Sequence, residues 1–130
     1  LSKALPYLVA EVDGKVIGFA YCNWFKPRPA YRFSAEDSIY LAPEAHGKGL
    51  GKLLLTELMA QAERCGVRKL IAVIGDSENR GSIGVHASCG YRHAGVIEAC
   101  GWKFERWLDI VLMEKSIGAG NSTAPVDVRV

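Results

Sequence analysis

The sequence predicts a single α/β domain in which a mixed sheet carries packed helices. Over 130 residues, β-prone and amphipathic runs succeed one another as strand, strand, strand, helix, strand, helix, strand, strand, with no internal repeat. Asp13-Gly14 joins the first two runs, a strong hairpin signal because a type I′ turn needs positive φ at both central positions. The helix after the third run can bring the fourth back parallel by a right-handed crossover, which makes the sheet mixed.

Tyr7 to Val12 and Lys15 to Tyr21 are the two strands of that hairpin. From Asn23 to Phe33 the pattern breaks into Trp24, Phe25, Lys26, Pro27, Arg28, Pro29, Tyr31 and Arg32, where two nearby prolines exclude a helix interior and a central strand. This loop of aromatics and cations reads either as a substrate-binding segment or as an ordinary surface connection. Ser34 to Leu41 returns to strand character and carries Glu36-Asp37. From Gly49 onward Leu50, Leu53, Leu54, Leu58, Ala62 and Cys65 recur at helical spacing, and Gly66 ends that helix.

Val67 to Ile74 reads as a buried strand, 75–81 as a polar loop, and Ser82 to Ser88 as a short helix closed by Cys89-Gly90. Tyr91 to Ala99 and Trp107 to Glu114 are the last strands, placed around a turn-rich Cys100-Gly101-Trp102-Lys103. The domain occupies 1–117, and 118–130, poor in apolar residues, is expected to be a flexible tail.

A net charge of +2 from 16 basic and 14 acidic residues is no nucleic-acid footprint. No apolar run approaches the roughly 18 residues of a membrane span. Cys22, Cys65, Cys89 and Cys100 form no Cys-x-x-Cys pair and have no histidine at metal-ligand spacing, so no metal is expected and the thiols are expected to be reduced. A cytoplasmic location fits. The chain begins at Leu1 rather than Met, which leaves a missing native N-terminus and a removed targeting segment open.

The most informative stretch is His46-Gly47-Lys48-Gly49-Leu50-Gly51-Lys52, set between a strand and a helix. Glycines let backbone N–H groups approach an anion, and the helix behind them adds the positive end of its dipole. A Walker A loop would need Gly at position 46 and a hydroxyl at 53, where the chain has His46 and Leu53. A dinucleotide fingerprint would need Gly at 52, where the chain has Lys52. What remains is a pyrophosphate clamp that uses neither metal nor ribose carboxylate, or a glycine-rich connection with no ligand.

The strand ending Ile39-Tyr40-Leu41, then Pro43 and the His46 to Gly51 loop opening a helix, resembles the GCN5-related N-acetyltransferase superfamily and its Gln/Arg-x-x-Gly-x-Gly/Ala motif. Ala35 to Leu41, Asn79 with Ser82 to His86, Gly90-Tyr91 and Gly101 to Asp109 are similar to its phosphinothricin N-acetyltransferase group, whose members act on phosphinothricin, methionine sulfoximine or methionine sulfone. The resemblance covers nearly everything from Tyr7 to Lys115. It implies the acyl-CoA N-acyltransferase fold, a mostly antiparallel mixed sheet flanked by helices, here lacking the first strand and first two helices. It also implies acetyl-CoA as cosubstrate, a small amine as acceptor and a homodimer. His46 departs from the usual Gln or Arg, a change that implies weaker cofactor affinity.

Direct attack of an amine on a thioester needs a base, an oxyanion donor and a proton for the thiolate. The resemblance assigns the base to Glu36, with Asp37 expected on the opposite face of its strand, and the thiolate proton to His86, where the superfamily commonly has Tyr. Ile39, Tyr40 and Leu41 would bind the pantetheine arm through main chain, with an oxyanion donor at the N–H of Leu41 or Tyr40. Gly47, Lys48, Gly49, Leu50, Gly51 and Lys52 would hold the pyrophosphate, and Asn79 and Ser82 the pantetheine. Lys26, Arg28, Tyr31 and Arg32, with Glu36, are the substrate-binding candidates, since an arginine fork suits a carboxylate or phosphinate. Trp102, Lys103, Phe104 and Arg106 are assigned to the opposite cleft wall, a subunit contact or plain packing. Leu108 stands where some members have a second His. Acetylation of another amine, such as a protein N-terminus or polyamine, and a non-catalytic acyl-CoA-binding module are the competing readings.

Overall fold

The computed structural model describes residues 4–76 and 79–125; positions 1–3, 77, 78 and 126–130 lie outside the described residues. In chain order the elements are β1 (Tyr7–Val12), β2 (Lys15–Trp24), β3 (Ser34–Leu41), α1 (Leu50–Arg64), β4 (Lys69–Ile74), α2 (Arg80–Ser88), β5 (Arg92–Lys103) and β6 (Arg106–Ser116). Short 3₁₀ turns, Pro29–Tyr31 and Pro43–Ala45, precede β3 and α1.

The strands form one six-stranded sheet in the order β1-β2-β3-β4-β6-β5. Every pairing is antiparallel except β3 with β4, which the crossover through α1 makes parallel. That parallel ladder is short. Ser34 to Asp37 pair with Lys69 to Ala72, and there the pairing stops, although β3 continues to Leu41 and β4 to Ile74. Ser38 to Leu41 stay on β2, while Val73 and Ile74 stay on β6. The two halves of the sheet therefore part and leave a notch between β3 and β4.

Alternation along β3 buries Ala35 and Asp37 on one face and turns Glu36 to the other. Leu54, Leu55, Leu58 and Ala62 of α1 share a core with the small strand residues Ala20, Ala35 and Ala72. Leu55 and Leu58 are wholly inside it, each worth about 1.5–3 kcal/mol of burial. The opposite face carries a file of rings: Tyr7 stacks on Tyr21 at 5.4 Å and Phe19 on Tyr40 at 4.9 Å. Tyr7 and Tyr40 remain 63% and 56% exposed there.

Some boundaries differ from the sequence expectations. β2 runs on past Tyr21 to Trp24, and the next N–H, that of Phe25, still bonds the Ser34 carbonyl at 3.1 Å. α2 begins at Arg80 rather than Ser82, because Asn79 is the cap whose side chain accepts from the Ser82 N–H. Cys100 to Lys103, expected as a turn, lies inside β5, and the chain reverses at Phe104-Glu105, with φ of 54° and 57°. No glycine or asparagine marks that reversal. A register shift between Ile97 and Gly101 breaks the β5 alternation, and the Asp109 carboxylate accepts the N–H of Ala99 there at 3.0 Å. Beyond β6, Arg68 donates to the carbonyls of Gly120 at 2.8 Å and Thr123 at 3.2 Å, so the early part of the expected flexible tail is tied to the domain.

Candidate functional site

The end of β3 leads through Pro43–Ala45 into the glycine loop and α1. Gly47 and Gly49 have φ of 76° and 75°, the left-handed region that a side chain resists. Gly49 is the N-cap of α1 and offers no side-chain cap, so the first N–H groups of the helix keep their donors for something else. The helix dipole adds positive potential at the same point. Gly51 is needed for a different reason. A Cβ there would lie 3.1 Å from Val85 Cγ2 and 3.3 Å from Leu41 Cδ1, so its absence lets α1 approach both α2 and the end of β3.

Between this loop and α2 lies a cavity of about 760 Å³. The structure brings nearly all the expected cofactor residues to it: Ile39, Tyr40 and Leu41, then Gly47, Gly49, Leu50, Gly51 and Lys52, and across from them Asn79 and Ser82. Lys48 does not line it. Sequence reasoning missed Arg80, Gly84, Val85 and Ser88, which line the α2 side. Arg80 fell in the polar loop expected at 75–81, before the helix expected from Ser82, and the recurrence of Arg80, Gly84 and Ser88 every fourth residue is the signal that could have placed them on one helix face. His46 also lines the cavity, yet its Nε2 bonds the Leu41 carbonyl at 3.1 Å, which straps the loop to the end of β3.

A second cavity, about 170 Å³, fills the notch between Ser38 to Tyr40 of β3 and Val73 to Gly75. It shares Ile39, Tyr40, Asn79 and Ser82 with the first and has Asp37 and His86 in its wall. His86 Nε2 is 2.7 Å from Asp37 Oδ1, its Nδ1 is 2.8 Å from the Ser82 carbonyl, and Tyr91 donates its hydroxyl to Asp37 Oδ2 at 2.7 Å. Burial pulls the His86 pKa down, but the hydrogen bond and charge of Asp37, with the Ser82 carbonyl, outweigh it and raise the pKa. The ring expected to protonate a thiolate thus has both nitrogens engaged. Burial, with the Asp37 charge adding, holds the Tyr91 hydroxyl well above its ordinary range.

Glu36 sits one residue before Asp37, on the face away from the helices, opposite Asn23 of β2 and beside Ile71 of β4. Half-burial pushes its carboxyl above the usual carboxylate range, and the charge of Asp37 adds to the shift. A carboxylate in that state accepts a proton more readily than one in water. Glu36 lines neither cavity.

The other substrate candidates flank the start of β3, at the opposite end from the glycine loop, and line neither cavity. Arg32 donates to the Pro29 carbonyl at 2.7 Å and lies 4.7 Å over the Phe33 ring, Lys26 lies over Phe25, and Tyr31 meets Phe25 edge-on. Arg28 is exposed. At the far hairpin, Trp102, Phe104 and Trp107 are exposed, and Arg106 pairs with Asp76 at 2.9 Å.

Among the described residues no cluster of His, Cys, Asp and Glu suits a metal ion, and no helix is long and apolar enough to cross a membrane. The four cysteines are unpaired, and burial, with the Asp37 charge adding, pushes the Cys22 thiol up to about 12.

The sequence profile of the acetyltransferase (GNAT) family matches residues 2–91. The chain is 52% identical over 125 residues to a phosphinothricin N-acetyltransferase of Alcaligenes faecalis, covering 96% of this chain and 64% of that protein. It is 38% identical over 109 residues to the L-methionine sulfoximine/L-methionine sulfone acetyltransferase of Salmonella typhimurium, covering 84% and 63%. The crystal structure of a GNAT superfamily phosphinothricin acetyltransferase from Sinorhizobium meliloti in complex with AcCoA superposes with a TM-score of 0.90 at 47% identity, over 95% of this chain and 66% of that one. The chain thus spans slightly under two thirds of the length of each of these relatives.

Proposed function

The chain belongs to the acetyltransferase (GNAT) family, and from that membership we propose an acetyl-CoA-dependent N-acetyltransferase whose acceptor is a small amino-acid-like amine of the phosphinothricin, methionine sulfoximine or methionine sulfone type. The observation that carries the reading is the join between the two cavities. An anion-binding loop and a notch with an unpaired strand edge share Ile39, Tyr40, Asn79 and Ser82. A ligand with a charged head and a long polar arm, as acetyl-CoA has, would rest its pyrophosphate on the loop and pair its arm with β3 as a further strand would.

In this reading Glu36 takes the proton from the attacking amine, directly or through water, as its raised pKa favours. The N–H of Leu41 or Tyr40 meets the oxyanion, a task suited to fixed backbone donors. The amine nitrogen bonds the acetyl carbon as the C–S bond breaks, and the proton lost by the amine balances the one gained by the thiolate. His86 is better suited to holding α2 on β3 than to supplying that proton, because Asp37 and Ser82 occupy both of its nitrogens. Lys26 and Arg28, with Tyr31 and Arg32, would offer the positive side to a carboxylate or phosphinate entering near Glu36.

The exposed Trp102, Phe104 and Trp107 support a homodimer formed through the β5–β6 hairpin. Four unpaired cysteines support a cytoplasmic setting. Thiol release from acetyl-CoA in the presence of phosphinothricin or methionine sulfone tests the activity. Cofactor binding without turnover of either amine, or of a peptide N-terminus or polyamine, would replace the enzyme with a binding module.

A further inference from the structure

Arg80 is the first residue of α2 and lines the large cavity from the side opposite the glycine loop. It is exposed and makes no hydrogen bond or ion pair with the described residues. Four of the other six arginines among the described residues are occupied by the chain itself, Arg32 with Pro29, Arg68 with Gly120, Arg92 with Glu114 and Arg106 with Asp76, and neither Arg28 nor Arg64 lines the cavity. The basic groups lining this cavity among the described residues are His46, Lys52 and Arg80, and no carboxylate lines it. His46, the residue placed by its position in the loop to meet a phosphate, has its Nε2 on the Leu41 carbonyl instead. Beside Arg80, Gly84 has nothing within 4 Å of a Cβ position and a Cβ at Gly81 would meet only Asn79 Oδ1 at 3.9 Å, so no packed side chain crowds this stretch of the helix.

We propose that Arg80 is the cationic side chain that binds a phosphate of CoA, from across the cavity, in place of His46. The inference rests on the acetyl-CoA reading above. The backbone donors of the loop and of α1 carry only partial charge, while CoA brings a pyrophosphate and a 3′-phosphate, so a full cation beside them is called for. A guanidinium fork matches a phosphate with two parallel hydrogen bonds, which neither an imidazole already bonded nor a lone ammonium does.

Calorimetric titration of the full chain with CoA, dephospho-CoA and pantetheine, for wild type, Arg80→Gln and Arg80→Lys, tests it. Arg80→Gln should weaken CoA by about tenfold or more and leave pantetheine unaffected, with Arg80→Lys recovering part of the loss. Equal losses for CoA and dephospho-CoA would assign Arg80 to the pyrophosphate, and a loss for CoA alone to the 3′-phosphate; either supports the proposal. Arg80→Gln binding CoA as wild type does would overturn it and leave the acetyl-CoA reading intact. An equal loss for pantetheine would also overturn it, since no phosphate is involved. Wild type that bound no CoA would overturn both.

Discussion

His86 Nε2 stands 2.7 Å from Asp37 Oδ1, and the two side chains are almost wholly buried. The pair joins α2 to β3 just where the parallel ladder ends. Because the Ser82 carbonyl takes the other ring nitrogen, the imidazole is held between two acceptors, an arrangement that favours its doubly protonated form.

The raised pKa of His86 sets a sign. A histidine with a folded-state pKa above its unfolded value stabilises fully below about pH 6.5, and that contribution is lost as pH rises through the folded-state value. Thermal unfolding of wild type and His86→Gln across this range should show the wild-type advantage shrinking toward alkaline pH. Parallel curves would mean that the ring does not titrate with folding.

Removing one partner of a buried ion pair is more damaging than removing one neutral donor. Asp37→Asn should cost about 3–5 kcal/mol by urea denaturation, because an uncompensated imidazolium is left inside. Tyr91→Phe, which deletes only the hydroxyl that donates to Asp37 Oδ2, should cost about 1.5–3 kcal/mol. The reverse order of the two losses would contradict a charged pair.

Glu36→Gln should lower turnover by about 10²–10⁴-fold while leaving CoA affinity near that of wild type. The acid limb of the wild-type rate profile should lie above the ordinary carboxylate range, since the base works only when ionised and its pKa is raised. A raised carboxyl pKa opposes folding once the pH passes the unfolded value, so Glu36→Gln should be no less stable than wild type at neutral pH. A variant that lost fold and rate together would undo the assignment.

Gly49→Ala should destabilise the chain by about 1–2 kcal/mol through backbone strain alone, because its φ is 75° and there is space for the methyl group. Gly51→Ala should act through packing instead, pushing on Val85 and Leu41 and weakening CoA binding more than stability. Equilibrium unfolding beside CoA titration separates the two.

Much of the sheet and the loop was legible because both are written in short-range signals. The Asp13-Gly14 turn has φ of 52° and 78°, as its sequence implies, and Gly47 and Gly49 take the left-handed backbone a phosphate-binding loop needs. Glu36 and Asp37 separate to opposite faces by simple alternation. The β5–β6 reversal was not legible, since Phe104-Glu105 adopts positive φ without glycine or asparagine and the long hairpin pairing imposes it. Arg80 was missed because its significance depends on α2 lying across from α1, and the His86–Asp37 bond because it spans 49 positions in the chain.

The early end of the β3–β4 ladder makes any ligand seated there a participant in folding equilibria. Such a ligand binds the native state and not the unfolded chain, so free ligand at a hundredfold its dissociation constant would add about 2.7 kcal/mol to apparent stability. Amide exchange at Ile39 to Leu41 would slow with it, and the melting temperature measured for this protein would report cofactor concentration as much as sequence.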